Sequence, residues 1–435
     1  MTEGLCVGAW LPNKWGQSLT EKEKTLIAKS EMDLLLIPEN HDQWVNREQW
    51  KQVADNLDVA IYAGFEDGDW IRGIFYDPVT GTDFTYTKHS SARKLDLERE
   101  DWCPETALKT TDLRGTTIGT TICHDHYFAP LMGYEGLAGA SLLVNLSATP
   151  VKRKKWGEVL QARAIENAAY VVCTMHGTRQ DGSTKQGNHP HVFAFDPFGD
   201  SPRLTELETN NERKFFETTP NNIYTFHVDQ TKPSKAHETL THQQDRPDIR
   251  RIQESSSESS TVSEPRFSVQ VDDDSVQITY GAETVEVAEF TSQSFSLGEE
   301  QFYLAVIEGE DVLKPEQMYR IVLSVPEIES KRILILNPWP ELNDRYHRNV
   351  VEPVLRARCV EWASPAVSVA PNHKSAYQAW YAKNTSRMIS DEDSQFQFYL
   401  YAARGISSAL DPVHHEIGKL LQLTSACEHR RTKGN

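Results

Sequence analysis

The sequence predicts an α/β domain followed by an α+β domain, and three observations carry that prediction. From residue 5 to about 230, short runs rich in Val, Ile, Tyr and Thr alternate with stretches of helical periodicity. Several of these runs are apolar throughout, as strands are when helices cover their sheet. A Ser/Glu-rich stretch, QESSSESSTVSEP (253–265), then interrupts the pattern. Beyond it RFSVQVDDDSVQITYGAETVEVAEF (266–290) alternates with the period of antiparallel strands.

Taken in order, strands are expected at 5–10, 33–38, 59–64, 71–77, 83–88, 116–123, 141–148, 170–176, 191–197 and 222–229. Each combines β-branched or aromatic residues with turn-forming boundaries. Helices fit 20–30, 46–56 and 155–168; in the last, Trp156, Val159, Leu160, Ala164 and Ile165 recur near helical spacing. The segment 252–265 has too little apolar surface to offset its ordering entropy and reads as a linker. The domains are therefore expected at 1–251 and 266–435. In the second, RILILNP (332–338) reads as a buried strand, and Arg345, His347, Arg348, Arg356 and Arg358 surround a helix within 341–358. That helix either meets an anionic partner or the acidic 267–311 region, or presents an ordinary solvated face.

Composition narrows the function classes. The net charge of −18 argues against non-specific nucleic-acid or membrane binding. Residues 254–311 are especially acidic, with 14 Asp/Glu against one Arg. Cysteines at 6, 103, 123, 173, 359 and 427 are scattered without a CxxC pair, as in a reduced compartment. No basic start with an unbroken apolar segment resembles a signal peptide, and no apolar run approaches the roughly 20 residues of a membrane span. The expectation is a cytoplasmic protein.

Three strand ends carry chemistry. LLLIPEN (34–40) ends in Glu39 after the proline, DFTYTKHS (83–90) delivers Lys88, and TTICHDHYF (120–128) delivers Cys123 to a turn. A thiol is a poor nucleophile until it loses its proton, and a carboxylate can serve as its general base. A lysine ammonium can hold a developing oxyanion together with the backbone N–H after the nucleophile. Singly, each residue has an ordinary explanation: a buried thiol, a helix cap, a surface lysine. HDH (124–126) and HPH (189–191) suggest zinc, but no third and fourth ligands follow at zinc-site spacing. Neither a Walker loop, nor GxGxxG, nor GxSxG is present.

The order Glu…Lys…Cys resembles the nitrilase (carbon–nitrogen hydrolase) superfamily. DLLLIPE is similar to its apolar-strand-Pro-Glu motif, YTKHS to its Tyr-x-Lys segment, and LRGTTIGTTICHD to its nucleophile segment. GASLLVNLSA (139–148), ARAIENAAYVV (162–172), HVFAFDPFGD (191–200) and HQQDRPDIR (242–250) resemble further segments in the expected order. The resemblance covers roughly residues 4–251 and implies an α-β-β-α sandwich and a cofactor-free, metal-free thiol mechanism. It implies Glu39 as base, Cys123 as nucleophile, and Lys88 with the His124 N–H as oxyanion donors. Lys94 competes with Lys88 but lacks the Tyr-x context. An accessory carboxylate is expected at Glu98 or Asp96, and Glu166 as a salt-bridging support. His126, Tyr127 and His176 are expected at the substrate pocket. Where the family has Pro-Glu after the cysteine, this chain has Ala129-Pro130-Leu131, which implies altered support.

The function implied is hydrolysis of a small amide or ureido substrate in a homo-oligomer. Residues 266–435 would govern assembly, access or contact with a protein partner. The alternatives are a non-catalytic regulatory module on the same fold and a hydrolase gated by a partner.

Overall fold

The computed structural model describes residues 4–39, 47–67, 70–88, 110–127, 129–179 and 181–236 of the first part of the chain. In the second part it describes 267–271, 275–280, 283–288, 292–297, 300–307, 309–314, 332–338, 350–361, 366–369, 377–382 and 386–390. The chain divides into two compact units.

The first unit contains two sheets. The larger is built from β1 (Leu5–Leu11), β2 (Leu34–Ile37), β3 (Ala60–Asp67), β4 (Trp70–Tyr76) and β5 (Asp83–Thr87), joined at one side by three later strands. The smaller begins with β6 (Thr110–Leu113), β7 (Thr116–Ile122), β8 (Leu142–Leu146), β9 (Tyr170–Thr174) and β10 (Phe193–Phe195). β11 (Leu204–Glu206), β12 (Glu212–Arg213) and β13 (Asn222–Val228) complete the larger sheet, in the order β12-β11-β13-β1-β2-β3-β4-β5. The smaller runs β10-β9-β8-β7-β6. β1, β2 and β3 are parallel, as are β7, β8 and β9.

Apolar periodicity explains the layers. α1 (Glu21–Lys29) and α2 (Arg47–Leu57) turn Ile27, Trp50, Ala54 and Leu57 into a core with Leu35, Ile37, Ile61 and Ala63 of the larger sheet. The alternate residues Leu34 and Leu36 are fully buried on the other face, so β2 reads as a continuous apolar run. Thr20 and Glu23 close a capping box at the start of α1, and Glu23 also accepts from Trp10 Nε1 at 2.9 Å. α3 (Ala129–Leu137) and α4 (Arg153–Asn167) pack on the smaller sheet. The two sheets meet through Tyr62, whose hydroxyl donates to Thr121 O at 3.3 Å, and through Thr174, which donates to Trp10 O. The result is an α/β architecture of two sheets covered by helices, the class that the sequence predicts.

The second unit contains a three-stranded antiparallel sheet, β14 (Phe267–Val271), β15 (Ser275–Tyr280) and β16 (Glu283–Ala288). A second sheet comprises β17 (Ser292–Leu297), β18 (Glu300–Val306), β19 (Arg332–Pro338), β20 (Ala366–Val369), β21 (Tyr377–Ala382) and β22 (Ser386–Ser390), side by side in that order. β18, β19 and β20 are parallel. α5 (Glu352–Glu361) is the described helix of this segment, with Pro353 in its first turn, where a missing N–H costs little. Arg356 pairs with Glu352, and Arg358 is fully buried with an Nη2 donating to Val312 O at 3.1 Å. These two arginines are therefore engaged within the unit. Arg345, His347 and Arg348 lie outside the described residues, as does the expected linker.

Candidate active site

Strand termination places the three reactive groups. β2 ends at Ile37, Pro38 breaks the ladder, and Glu39 follows; β5 ends at Thr87, immediately before Lys88. β7 ends at Ile122, and Cys123 opens a 3₁₀ turn, Cys123–Tyr127. Lys88 Nζ donates to Glu39 Oε1 at 3.0 Å, and both side chains are buried. Cys123 itself is half-buried and adopts φ +50°, a left-handed conformation that is costly for a side chain with a Cβ. It turns the chain abruptly from strand to helix and leaves the thiol at the strand end.

The charges around the sulfur act in opposite directions. Burial pushes the Cys123 thiol up to about 12, against the favourable charge of Lys88 and the Ala148 N–H, while the Glu39 charge and its hydrogen bond from the thiol also hold the proton on sulfur. For Lys88, burial disfavours the ammonium, but Glu39, Cys123 and Asp125 outweigh it and keep the lysine charged above its ordinary range. The resting site therefore holds an ammonium and a protonated thiol hydrogen-bonded to a carboxylate, all within one desolvated cluster. That arrangement can move the thiol proton to Glu39 when an electrophilic carbon arrives, and can meet a developing negative oxygen with Lys88.

The turn is held from below. Asp125, fully buried, accepts from Tyr86 Oη at 2.6 Å and from Ile122 N at 3.3 Å. Asn145 Nδ2 donates to Cys123 O at 3.1 Å and to Thr121 Oγ1 at 3.0 Å, and Ser147 Oγ donates to Asn145 Oδ1 at 3.0 Å. His126 Nδ1 lies 2.6 Å from Cys123 O, and the His126 ring packs against Tyr127 and Trp156. On α3, Glu135 Oε1 accepts from Thr120 N at 2.8 Å; burial raises this carboxyl well above the usual range.

The remaining predicted residues fall as follows. His124 is half-buried beside the Tyr127 ring, with centroids 5.0 Å apart. Glu166 forms a buried ion pair with Arg163, whose Nε donates to His126 O at 2.8 Å. His176 faces Glu39 O and Lys14 O with its two ring nitrogens and stacks on Trp15. Glu98, Asp96 and Lys94 lie outside the described residues. Tyr86 enters the sequence reading only as the context of Lys88, and Asn145, Glu135 and Arg163 do not enter it as site residues. The one available signal was a polar residue inside an apolar strand, as in LLVNL, since a buried amide needs partners. Among the described residues no three His, Cys, Asp or Glu side chains group as metal ligands, and no helix is long and apolar enough to cross a membrane.

Residues 14–199 match the family model for carbon–nitrogen hydrolases. The hydrolase in the agr operon of Staphylococcus aureus is 36% identical over 87 residues, 20% of this chain and 32% of that protein. The deaminated glutathione amidase of Synechocystis sp. is 32% identical over 106 residues, 22% of this chain and 38% of that one. The matched stretches thus span roughly a third of the length of these curated relatives. Among solved structures, the Nesterenkonia AN1 amidase mutant aligns with 14% identity and a TM-score of 0.40, over 56% of this chain and 98% of that one. The carbon–nitrogen hydrolase of Helicobacter pylori aligns with 13% identity and a TM-score of 0.42, over 56% and 95%.

Proposed function

We propose that the chain, whose residues 14–199 match the carbon–nitrogen hydrolase model, works as a member of that family and cleaves the C–N bond of a small amide or ureido compound through a Cys123 thioester. The observation that carries this reading is the buried Lys88–Glu39 pair, 3.0 Å apart, with the Cys123 thiol donating to the same carboxylate.

Glu39 takes the Sγ proton as sulfur attacks the carbonyl carbon. Negative charge collects on the substrate oxygen between Lys88 Nζ and the His124 N–H. Collapse breaks the C–N bond, and the amine leaves with the proton held by Glu39. Water then attacks the thioester as Glu39 removes its proton; the acid departs and the proton returns to sulfur. Each oxyanion donor is worth about 3–4 kcal/mol of barrier in such sites. Asp125 and Tyr86 support Lys88 and the turn, while His126 and Tyr127 back the pocket from beneath the nucleophile. The second unit acts in assembly or access.

The test is mass spectrometry of the full chain incubated with a metabolite extract and a panel of small amides. Wild type should turn over its substrate and carry a transient acyl mass on Cys123. Cys123→Ala should lose turnover entirely while keeping its circular dichroism spectrum. Lys88→Met should lose about 100-fold or more, on the scale of one lost oxyanion donor. Turnover by Cys123→Ala at the wild-type rate would sink the mechanism.

A further inference from the structure

The histidine at the end of β9 carries an inference about how the base is held. His176 is 2% exposed. Its Nε2 lies 2.7 Å from Glu39 O, and its Nδ1 lies 3.3 Å from Lys14 O. A carbonyl oxygen can only accept, so the short contact requires the proton on Nε2, and Nε2–H donates to Glu39 O.

That bond reaches the chain just past the end of β2. β2 ends at Ile37, and Pro38 has no N–H to offer. Glu39 nonetheless must hold its carboxylate against both Lys88 Nζ and the thiol, in a fully buried position.

The imidazole is itself fixed. Trp15 stacks on it with centroids 4.9 Å apart and planes 13° from parallel, and Trp15 Nε1 donates to Thr178 O at 2.9 Å. Gly177 N donates to Pro12 O at 2.6 Å, and Thr178 Oγ1 donates to Asn13 O at 3.0 Å. The approach is so close that a Cβ on Gly177 would lie 2.8 Å from Asn13 O. The end of β9 is thus laced to the segment after β1, and His176 reaches from that brace to the main chain of Glu39.

We propose that His176 is a positioning residue for the general base, holding through Nε2–H···O=C the backbone from which Glu39 addresses Cys123. The inference rests on Glu39 being the base. Displacement of a reacting group by about 1 Å costs on the order of 100-fold, so loss of this bond alone falls in the range of 10- to 100-fold.

The readout is the rate of Cys123 carbamidomethylation by iodoacetamide in the full chain at neutral pH, followed by peptide mass mapping. It needs no substrate and reports on proton transfer from sulfur to Glu39. His176→Gln, whose amide nitrogen can reach the Nε2 position, should label within about 3-fold of wild type. His176→Asn, which reaches only toward Lys14 O, should label about 10-fold more slowly or worse while keeping a folded circular dichroism spectrum at the assay temperature. In a Glu39→Gln background, His176→Asn should add no further loss. Equal rates for the Asn and Gln variants, or additive losses with Glu39→Gln, overturn the role of His176. The underlying reading fails separately: it falls if Glu39→Gln alone labels at the wild-type rate.

Discussion

At Cys123 two demands conflict, and the site keeps the thiol protonated at rest. Burial raises the thiol to about 12, more than Lys88 and the Ala148 N–H lower it. The folded thiol therefore keeps its proton through the window between about 9, where an exposed thiol ionises, and about 12. Because the folded state binds the extra proton there, this group weakens the fold as pH rises through that window. Thiolate absorbance near 240 nm, taken as wild type minus Cys123→Ala, should stay flat from about pH 6 to about pH 10. A step near neutrality would show a stored thiolate in place of a thiol that needs Glu39. The identities of Glu39, Lys88 and Cys123 as strand-end residues were legible in the sequence, because apolar runs that stop at a polar residue announce strand ends. Their convergence was not: Glu39 and Lys88 are separated by 48 intervening positions, and the pair forms only when β2 and β5 share a sheet.

The element that carries Cys123 is the unit β7, turn and α3. The sequence lacks the carboxylate expected directly after Pro130, which implies altered support. The structure has Glu135 further along the same helix, its carboxyl against Thr120 N. Gly119 makes room for it: a Cβ there would lie 2.6 Å from Glu135 Oε2 and 2.7 Å from Glu135 Cβ. Gly119→Ala should therefore destabilise the protein by about 1–3 kcal/mol in urea titration, the cost of overpacking a filled core. A midpoint equal to wild type would mean that α3 shifts freely. Strands such as β2, β7 and β8 were readable from their β-branched, apolar composition. β6, β11 and β12 were not, since runs of two to four partly polar residues become strands only by pairing with a neighbour already in place.

For the whole molecule, the two units raise the question of what the second contributes. The acidic charge concentrated in 254–311 and the mixed sheet of the second unit belong to no step of the proposed chemistry. If that unit governs assembly or access, residues 1–251 should differ from the full chain in sedimentation coefficient or in turnover of the same amide. Equal values for both quantities would remove that role. The antiparallel alternation of 266–290 and the strand at 332–338 were legible, because period-two patterning and an unbroken apolar run each survive without knowledge of neighbours. The parallel pairing of β18, β19 and β20 was not, since a ladder between strands distant in sequence leaves no local pattern.

The sequence by itself determined the α/β class, the strands of the first unit other than β6, β11 and β12, and the residue types at the ends of β2, β5 and β7. Those follow from local periodicity and from where apolar runs stop. Only the tertiary structure decided that Lys88 and Glu39 form one buried pair, that Cys123 takes a left-handed turn, and that His176 spends its short hydrogen bond on the backbone of Glu39. Each depends on desolvation and on contacts between segments far apart in the chain. A histidine in YVVCTMH carries no mark of what it will touch until β9 and β2 stand at the same edge of the fold.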